Sequence, residues 1–366
     1  MTTPCFIIAE AGVNHDGSPA RALELAEAAR ACGADAVKYQ TFRTDRLTTR
    51  RAATCAYQET ATGGQQSQQD MLRALELPDA VFRHLARHCQ SIGIEFMSTA
   101  FDPDSLDFLV SETGIRRVKI PSGELVNPLL LLRAARTGLP VILSTGMATL
   151  DEVAMALGVL AHGLLGLPGL PRAADAAAAA NSPEGAALLA QRITLLHCVS
   201  DYPAPPQDSN LRALATLRNR FTLPVGLSDH TEGTCVAVAA VALGAVVLEK
   251  HFTLDQSLPG PDHRASLDVA GLARLVEEAR IVESALGDGV KAPRPSEVGN
   301  IAAIRGSLVA TRNIRAGDRL DDSNITVKRP GDGLPPMRLL DLAGSIADRD
   351  FAPDEQITVP LDMRHD

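Results

Sequence analysis

Short apolar runs alternate with amphipathic helical stretches along residues 1–287, and this alternation constrains the fold more than any other feature of the sequence. The runs predict eight strands, at Phe6–Ala9, Ala36–Tyr39, Ile94–Met97, Arg117–Ile120, Val141–Leu143, Ile193–Cys198, Val225–Leu227 and Val246–Leu248. Strands that alternate with helices build parallel α/β sheets, and eight such units close into a (β/α)₈ TIM barrel. A doubly wound open sheet is the alternative, but no strand here leads into the GxGxxG pattern of a dinucleotide site.

Two segments fall outside this alternation. Residues 162–191 are rich in Ala, Pro and Gly, and we expect a surface insertion without chemistry between the fifth helix and the sixth strand. Residues 288–300 contain two prolines and predict a stiff linker. Residues 301–366 then predict a small, mostly β domain, with two similar turns in "IRAGDRL" and "FAPDEQI".

Composition excludes several classes of protein. The net charge of −9 argues against a nucleic-acid or anionic-membrane surface, because both need a basic face. Six cysteines lie far apart and form no CxxC pair, which is typical of free thiols in a reducing cytoplasm. The N-terminus has no basic region of a signal peptide, and the longest apolar run, "VAVAAVALGAVVL", is too short to span a bilayer. We expect a soluble cytoplasmic protein.

Every predicted strand is followed by polar side chains. The last one is typical, since "VVLEKHFTLDQSLPGPDH" passes from apolar residues directly to an acid, a base and an imidazole. In a barrel the carboxyl ends of the strands meet at one face, where catalytic groups gather. The residues that we expect to meet there are Glu10, Lys38, Gln40, Lys119, Ser122, Glu124, Ser144, Ser200, Tyr202, Ser228, His230, His251 and Asp262.

These residue types indicate a chemistry. Lys38 and Lys119, with several hydroxyls and glycine-flanked turns, suit a small molecule that carries a phosphate and a carboxylate. His230 and His251 suit a divalent metal with open coordination positions. The carboxylates can move protons or hold a polyol. A metal beside a phosphate ester and a carbonyl compound predicts Lewis-acid carbon–carbon bond formation.

The motifs "FIIAEAGVNHDGS", "GADAVKYQTF", "KIPSGEL", "STGMAT", "GLSDHT", "LEKHFT" and "KRPGDG" resemble the sialic acid synthase family, in family order and over nearly the whole chain. The resemblance implies a TIM barrel followed by an antifreeze-like (SAF) domain. It implies an enzyme that condenses phosphoenolpyruvate with an N-acetylated mannosamine-type aldehyde to give a nine-carbon 2-keto acid and phosphate. It also implies a homodimer in which the SAF domain of one subunit reaches the barrel of the other.

Residue roles follow from the same resemblance. It implies phosphoenolpyruvate binding by Lys38, Lys119, Ser122, Ser144 and Ser228, and binding of Mn²⁺, or else Mg²⁺ or Co²⁺, by His230 and His251. It implies sugar binding by Glu10, Gln40, Glu124, Tyr202, Asp262 and, from the partner subunit, Arg329. Glu124, Glu10 and Lys119 are the expected catalytic residues, with Glu124 taking a proton from water. Glu249 and Lys250 are expected to form a supporting ion pair.

Two departures from the family pattern bear on these roles. Ala61 in "YQETATG" stands where asparagine is usual, and Ser200 stands where some members have asparagine. Three functions remain open: a synthase that uses N-acetylmannosamine, a legionaminic acid synthase that uses a 2,4-diacetamido-6-deoxy sugar, and a non-catalytic sugar-phosphate-binding barrel. "YQ" at Tyr57 and Gln58 resembles legionaminate-type members. For His84 and His88 we expect a solvated helix face, and for His197 a structural role.

Overall fold

A computed structural model describes residues 4–49 and 67–358. The chain divides into two compact units, Met1–Gly287 and Asp288–Asp366. Ala61, Tyr57 and Gln58 lie outside the described residues. Within the described part of the chain, no helix has the length and apolar character needed to cross a membrane. The assignment of 288–300 as a linker stays a prediction.

Eight parallel strands close into a barrel in chain order, which confirms the predicted fold. They are β1 Phe6–Gly12, β2 Ala36–Thr41, β3 Glu95–Ala100, β4 Val118–Ile120, β5 Val141–Ser144, β6 Ile193–Cys198, β7 Val225–Asp229 and β8 Val247–His251. β1 pairs with β8 to close the barrel, with Ile8 opposite Glu249 and Glu10 opposite His251. Most strands extend beyond the apolar runs, because the polar residues at their ends still pair in the sheet.

The barrel interior has an apolar layer beneath a polar one. The apolar layer consists of six buried side chains, Ile8, Ala36, Met97, Ile142, Leu196 and Val247. Side chains two residues apart on a strand point to the same face, so the next inward positions lie nearer the carboxyl ends. Those positions hold Glu10, Lys38, Thr99, Ser144, Cys198 and Glu249, all buried. The apolar layer therefore forms the floor of a polar site.

Twelve described helices belong to the first unit. They are α1 Pro19–Ala31, α2 Thr44–Leu47, α3 Gln68–Leu75, α4 Asp79–Ile92, α5 Pro103–Phe108, α6 Pro128–Arg136, α7 Leu150–Leu164, α8 Ala173–Asn181, α9 Pro183–Arg192, α10 Ala213–Phe221, α11 Cys235–Ala242 and α12 Val269–Leu286. α1 begins after Ser18, the N-cap, whose hydroxyl accepts from the backbone N–H of Arg21 at 3.3 Å.

The insertion at 162–191 is largely helical. Alanine is the strongest helix former, and the Ala-rich stretch folds into α8, followed by α9. This hairpin covers α7, in which every residue from Ala156 to Gly163 is buried. The contact is close, because a Cβ at Gly158 would lie 2.8 Å from the carbonyl oxygen of Ala176.

The second unit contains an antiparallel pair of strands, β9 Ser307–Ala310 and β10 Ile325–Lys328, with short helices α13 Pro295–Val298, α14 Ile301–Ile304 and α15 Leu339–Leu342. Its core includes Leu308, Ile325, Phe351 and Ile357. The two similar turns noted in the sequence pair with each other: Ile314 and Phe351 exchange backbone hydrogen bonds of 2.9 and 2.8 Å. The small, mostly β fold is confirmed.

The expected ion pair between Glu249 and Lys250 is wrong. Consecutive residues on a strand point to opposite faces, so Glu249 faces the barrel interior and Lys250 faces the surrounding helices. Lys250 is 1% exposed, and its Nζ lies 2.7 Å from the Asp229 carboxylate on β7. Asp229 also accepts hydrogen bonds from the backbone N–H and hydroxyl of Thr231. This ion pair therefore joins β7 to β8 on the outer face of the barrel.

We predict that Lys250→Met lowers the free energy of unfolding by about 3–5 kcal/mol, because it leaves the Asp229 carboxylate buried without its cation. Urea unfolding followed by circular dichroism measures the change. Arg133→Met, which breaks the exposed pair with Asp107, is the matched control and should cost less than about 1 kcal/mol. Equal losses in the two variants would contradict the role given to Lys250.

Candidate active site

A cavity of about 430 Å³ opens at the carboxyl ends of the barrel strands. Its lining includes all the barrel residues to which the sequence assigned a role, Glu10, Lys38, Gln40, Lys119, Ser122, Glu124, Ser144, Tyr202, Ser228, His230, His251 and Asp262. Ser200, one of the two departures from the family pattern, lines it as well. Arg329 belongs to the second unit, where it is exposed directly after β10.

Four buried charges alternate in sign at the base of this cavity. The Lys38 ammonium lies 2.6 Å from Glu10 Oε2 and 3.6 Å from Glu249 Oε2, and the Lys119 ammonium lies 3.4 Å from Glu249 Oε1. Thr99 accepts from Lys38 at 2.8 Å. Buried charges are stable only when they are paired in this way. The arrangement holds two cations at the base of the cavity, beside its hydroxyl groups.

The two carboxylates differ in their electrostatic environment. Burial raises the pKa of Glu10 to about 7, and Glu249 adds to the rise, although Lys38 opposes it. For Glu249 burial also raises the pKa, but Lys119 and Lys38 together outweigh burial and lower the pKa to about 2. Ser228 also donates to Glu249 at 3.0 Å. Glu249 is therefore the fixed anion of the cluster, whereas Glu10 is poised near neutrality.

Hydroxyl groups gather next to Lys119 around the turn that follows β5. Ser122 accepts from the backbone N–H of Gly146 at 3.0 Å. A Cβ at Gly146 would lie 2.4 Å from the Ser200 hydroxyl and 2.8 Å from that of Ser122, so a larger residue would not fit. The Ser144 hydroxyl is buried and has no hydrogen-bond partner among the described residues. Such a set of donors beside a lysine suits a phosphate.

The two histidines lie side by side, His230 directly after β7 and His251 at the end of β8, with ring centroids 5.4 Å apart. His230 Nδ1 lies 2.6 Å from the carbonyl of Val199 and donates to it, which leaves Nε2 as the free lone pair. His251 Nδ1 is buried without a hydrogen-bond partner in the described part of the chain, and the nearest carboxylate, Asp262 Oδ2, is 3.8 Å away. An orphaned imidazole nitrogen beside a second imidazole and a carboxylate fits a divalent metal ion.

Electrostatics at the two rings differ. Burial lowers the pKa of His251 far below its usual value, and repulsion by His230 and Lys38 adds to this, so the ring is neutral, as a ligand must be. Burial also lowers the pKa of His230, but its hydrogen bonds with Cys198 and Val199 outweigh burial and raise it. Within the described residues, no group of three or more His, Cys, Asp or Glu side chains is arranged to hold a metal ion, so the two imidazoles are the candidate ligands.

Other histidines have structural surroundings. His197 Nε2 is hydrogen-bonded to the carbonyl of Ser209 at 2.8 Å, which confirms its structural role. His84 and His88 lie one turn apart on α4. His84 is exposed, and His88 Nε2 lies 3.2 Å from Glu27 Oε1.

Several residues that line the cavity had no substrate or metal role predicted from the sequence. Glu249 was expected only to pair with Lys250, but alternation along β8 from His251 places it inside the barrel. Thr99 and Cys198 also face the cavity, as inward positions of β3 and β6. One wall is apolar and contains residues from outside the strands, Val13, Leu47, Met71, Leu72, Leu75 and Phe101.

Comparison with known proteins places this geometry in a family. The NeuB family model matches residues 25–291, and the SAF domain model matches residues 305–360. The chain belongs to the NeuB family. This NeuB-family chain is 43% identical over 341 residues to the N,N'-diacetyllegionaminic acid synthase of Legionella pneumophila, which covers 93% of the chain and 90% of that relative. It is 42% identical over 352 residues to the enzyme of the same name from Campylobacter jejuni, over 96% and 98% of the two chains.

Among solved structures, the N-acetylneuraminic acid synthetase of Leptospira borgpetersenii, in complex with citrate, superposes with a TM-score of 0.65. It is 33% identical, and the match covers 82% of this chain and 90% of that one. The resemblance inferred from the motifs is therefore confirmed, as is the expectation that this NeuB-family protein is a synthase.

Proposed function

We propose that this chain condenses phosphoenolpyruvate with an N-acetylated mannosamine-type aldose and water, giving a nine-carbon 2-keto acid and phosphate. N-acetylmannosamine is the first candidate acceptor, with N-acetylneuraminate as product. The observation that carries the proposal is the meeting, in one cavity, of two buried lysines, a cluster of serine hydroxyls and two adjacent histidines. A phosphate ester, a carboxylate and a metal-bound carbonyl need these groups together. The names of the similar proteins support the same reaction class.

On the anionic side, Lys38, Lys119, Ser122, Ser144 and Ser228 bind phosphoenolpyruvate. Both lysines already lie against glutamates, so the substrate's phosphate and carboxylate replace or share those partners. On the opposite side, Glu10, Gln40, Glu124, Tyr202 and Asp262 face the sugar. The Glu124 carboxylate accepts from Asn127 at 2.6 Å, which fixes its direction at the rim of the cavity.

The reaction follows from these positions. C3 of phosphoenolpyruvate attacks the aldehyde carbon of the open-chain sugar, a carbon–carbon bond forms, and the aldehyde oxygen takes up a proton. Water then adds to C2 while Glu124 accepts its proton. The resulting tetrahedral carbon expels phosphate and becomes the ketone. Lys119 and Lys38 hold the negative charges in place throughout.

We further propose that His230 and His251 hold Mn²⁺, with Mg²⁺ and Co²⁺ as alternatives. When bound, such an ion supplies Lewis-acid polarisation of the aldehyde.

For the metal we predict that dialysis against EDTA abolishes phosphate release and that Mn²⁺ restores it. His251→Ala should remain folded and lose at least about tenfold in Mn²⁺ affinity, because it removes one of two protein ligands. Isothermal titration with Mn²⁺ measures the affinity. The control is His162→Ala, a buried histidine on α7 whose Nε2 contacts the carbonyl of Pro168. Full activity in metal-free buffer would refute the metal.

For the anion site we predict that Lys119→Ala raises the KM for phosphoenolpyruvate by roughly 10–100-fold, the value of one hydrogen bond to a charged group. The KM for the sugar should change far less. Lys291→Ala, at an exposed lysine outside the barrel unit, is the control. If the sugar KM rises instead, Lys119 belongs to the sugar side.

A second acceptor, 2,4-diacetamido-2,4,6-trideoxymannose, is supported by specific observations. Two relatives named for N,N'-diacetyllegionaminic acid synthesis are 43% and 42% identical over almost the whole chain. The apolar wall formed by residues such as Met71, Leu72 and Leu75 also suits a 6-deoxy carbon better than a hydroxymethyl group.

The test of the proposed function is phosphate release from phosphoenolpyruvate with each sugar in turn. Turnover that depends on either sugar supports the proposed reaction, and the higher kcat/KM identifies the acceptor. A folded, metal-loaded protein that releases no phosphate with either sugar would refute the synthase and leave the third possibility, a non-catalytic sugar-phosphate-binding barrel.

We also propose a cytoplasmic homodimer in which Arg329 of the partner subunit contacts the N-acetyl group. Among the described cysteines all are free, in keeping with a reducing compartment. At phosphoenolpyruvate concentrations far below the wild-type KM, Lys119→Ala and Arg329→Ala should each be nearly inactive. When the two are refolded together, half of the dimers are mixed and one of their two sites is intact, so activity should approach roughly a quarter of wild type. No recovery from well-mixed dimers would show that Arg329 does not act across subunits.

A further inference from the structure

The loop 252–267, which follows β8, brings Pro261 and Asp262 to the cavity wall. Its two ends pair through a bridge between Phe252 and Leu267. Asp262 is 8% exposed, and no ion pair with a lysine or arginine holds it among the described residues. Its position must therefore come from the loop that carries it.

The residue after Asp262 anchors this loop inside the protein. His263 is fully buried, at 0% exposure, and it does not line the cavity. Its Nε2 donates to the two carboxylate oxygens of Asp16 at 3.0 and 3.1 Å, and its Nδ1 shares a hydrogen bond of 2.7 Å with the hydroxyl of Thr253. The His263 imidazole thus connects Thr253, near the start of the loop, to Asp16 in the turn after β1, and His263 itself lies near the end of the loop.

The turn after β1 is held by its own ion pair and hydrogen bond. Asp16 adopts a left-handed backbone conformation with φ of 47°, and its carboxylate is also paired with Arg21 on α1. His15 Nδ1 accepts from the backbone N–H of Gly17 at 3.1 Å, which closes the turn. A carboxylate shared between a guanidinium and an imidazole in a closed turn is a fixed acceptor.

The loop also packs directly on this pair. A Cβ at Gly260 would lie 2.5 Å from His263 Cδ2 and 2.7 Å from Asp16 Oδ1, so only glycine permits the approach. The next residues in the chain are Pro261 and Asp262. The backbone that presents Asp262 is therefore stacked on the Asp16–His263 pair.

A second set of hydrogen bonds ties the same two segments together. Asn14 donates to the carbonyl of Phe252 at 2.8 Å and to the Ser266 hydroxyl at 2.9 Å. Ser266 in turn donates to the backbone carbonyl of Asp262 at 2.6 Å. All of these partners are buried, so the bonds do not compete with bulk water.

We propose that the turn 14–17 is a clamp that sets the position of Asp262, and that Asp16 and His263 are positioning residues for the acceptor sugar. Neither touches the cavity. The proposal rests on the proposed function, because the sugar is the ligand assigned to Asp262. It predicts a defect confined to the sugar side, since the clamp does not contact Lys38, Lys119 or the serines around Gly146.

Steady-state kinetics test the clamp. His263→Leu and Asp16→Ala should each raise the KM for the sugar by about tenfold or more, as expected when a contact is misplaced, with the KM for phosphoenolpyruvate within about twofold of wild type. His263→Gln, whose amide can still donate to Asp16, should recover most of the loss. His162→Leu, at a buried histidine away from the cavity, is the control. Equal rises in both KM values would overturn the proposal.

A double-mutant cycle shows whether His263 acts through Asp262. In an Asp262→Asn background, His263→Leu should change the kcat/KM for the sugar by less than about twofold, because the contact that it positions is already weakened. Effects that simply multiply would overturn the proposal. Asp16, which is partly exposed, provides the variant that keeps the fold if His263→Leu does not.

Hydrogen–deuterium exchange tests the clamp without turnover. In the absence of substrates, Asp16→Ala and His263→Leu should speed exchange of the backbone amides in 252–267 by about tenfold or more relative to wild type, while His162→Leu leaves that loop unchanged. Unchanged exchange in the first two variants would overturn the clamp. If the wild type releases no phosphate with either sugar, the proposed function fails, and this measurement still decides whether the clamp exists.

Discussion

The chain of opposite charges inside the barrel is the interaction on which the site depends. Glu10, Lys38, Glu249 and Lys119 come from four different strands, and each is stable in its buried position only because the next one is present. Two carboxylates face two ammonium groups in the cluster. On the proposed function, phosphoenolpyruvate must therefore compete with two glutamates for two lysines, which favours a ligand whose phosphate and carboxylate reach both at once.

This cluster also fixes the register of the strands. An inward apolar residue is followed two positions later by an inward polar one, as in Ile8 and Glu10 or Val247 and Glu249. A slip of one residue would turn a buried charge into the apolar layer between barrel and helices. On the outer face, the pair of Lys250 and Asp229 imposes the same register from the opposite side. Site and barrel are thus specified by the same residues.

The barrel and the location of its site were predictable from the sequence, because the parallel strands of a barrel all end at one face. Short apolar runs locate the strands, and the polar residues after them converge whatever their distance in sequence, as Glu10 and Asp262 do. Less was predictable where a contact depends on which way a side chain points. Glu249 and Lys250 look like a pair in sequence, but the pleat of the strand separates them. The apolar wall from α3 was not predictable, because Met71 and Leu75 look like ordinary core residues on an amphipathic helix.

The hairpin of α8 and α9 changes how α7 relates to solvent. A barrel helix ordinarily keeps a polar outer face, but α7 is buried from Ala156 to Gly163 and packs its glycines directly on neighbouring helices. Because this part of α7 has no face exposed to solvent, α7 and the hairpin each depend on the other to keep their apolar side chains buried. Deletion of the hairpin to leave a minimal barrel would expose an apolar strip on α7, and exposed apolar strips promote aggregation. For the same reason, a hairpin of this kind is not easily lost in evolution once it is present.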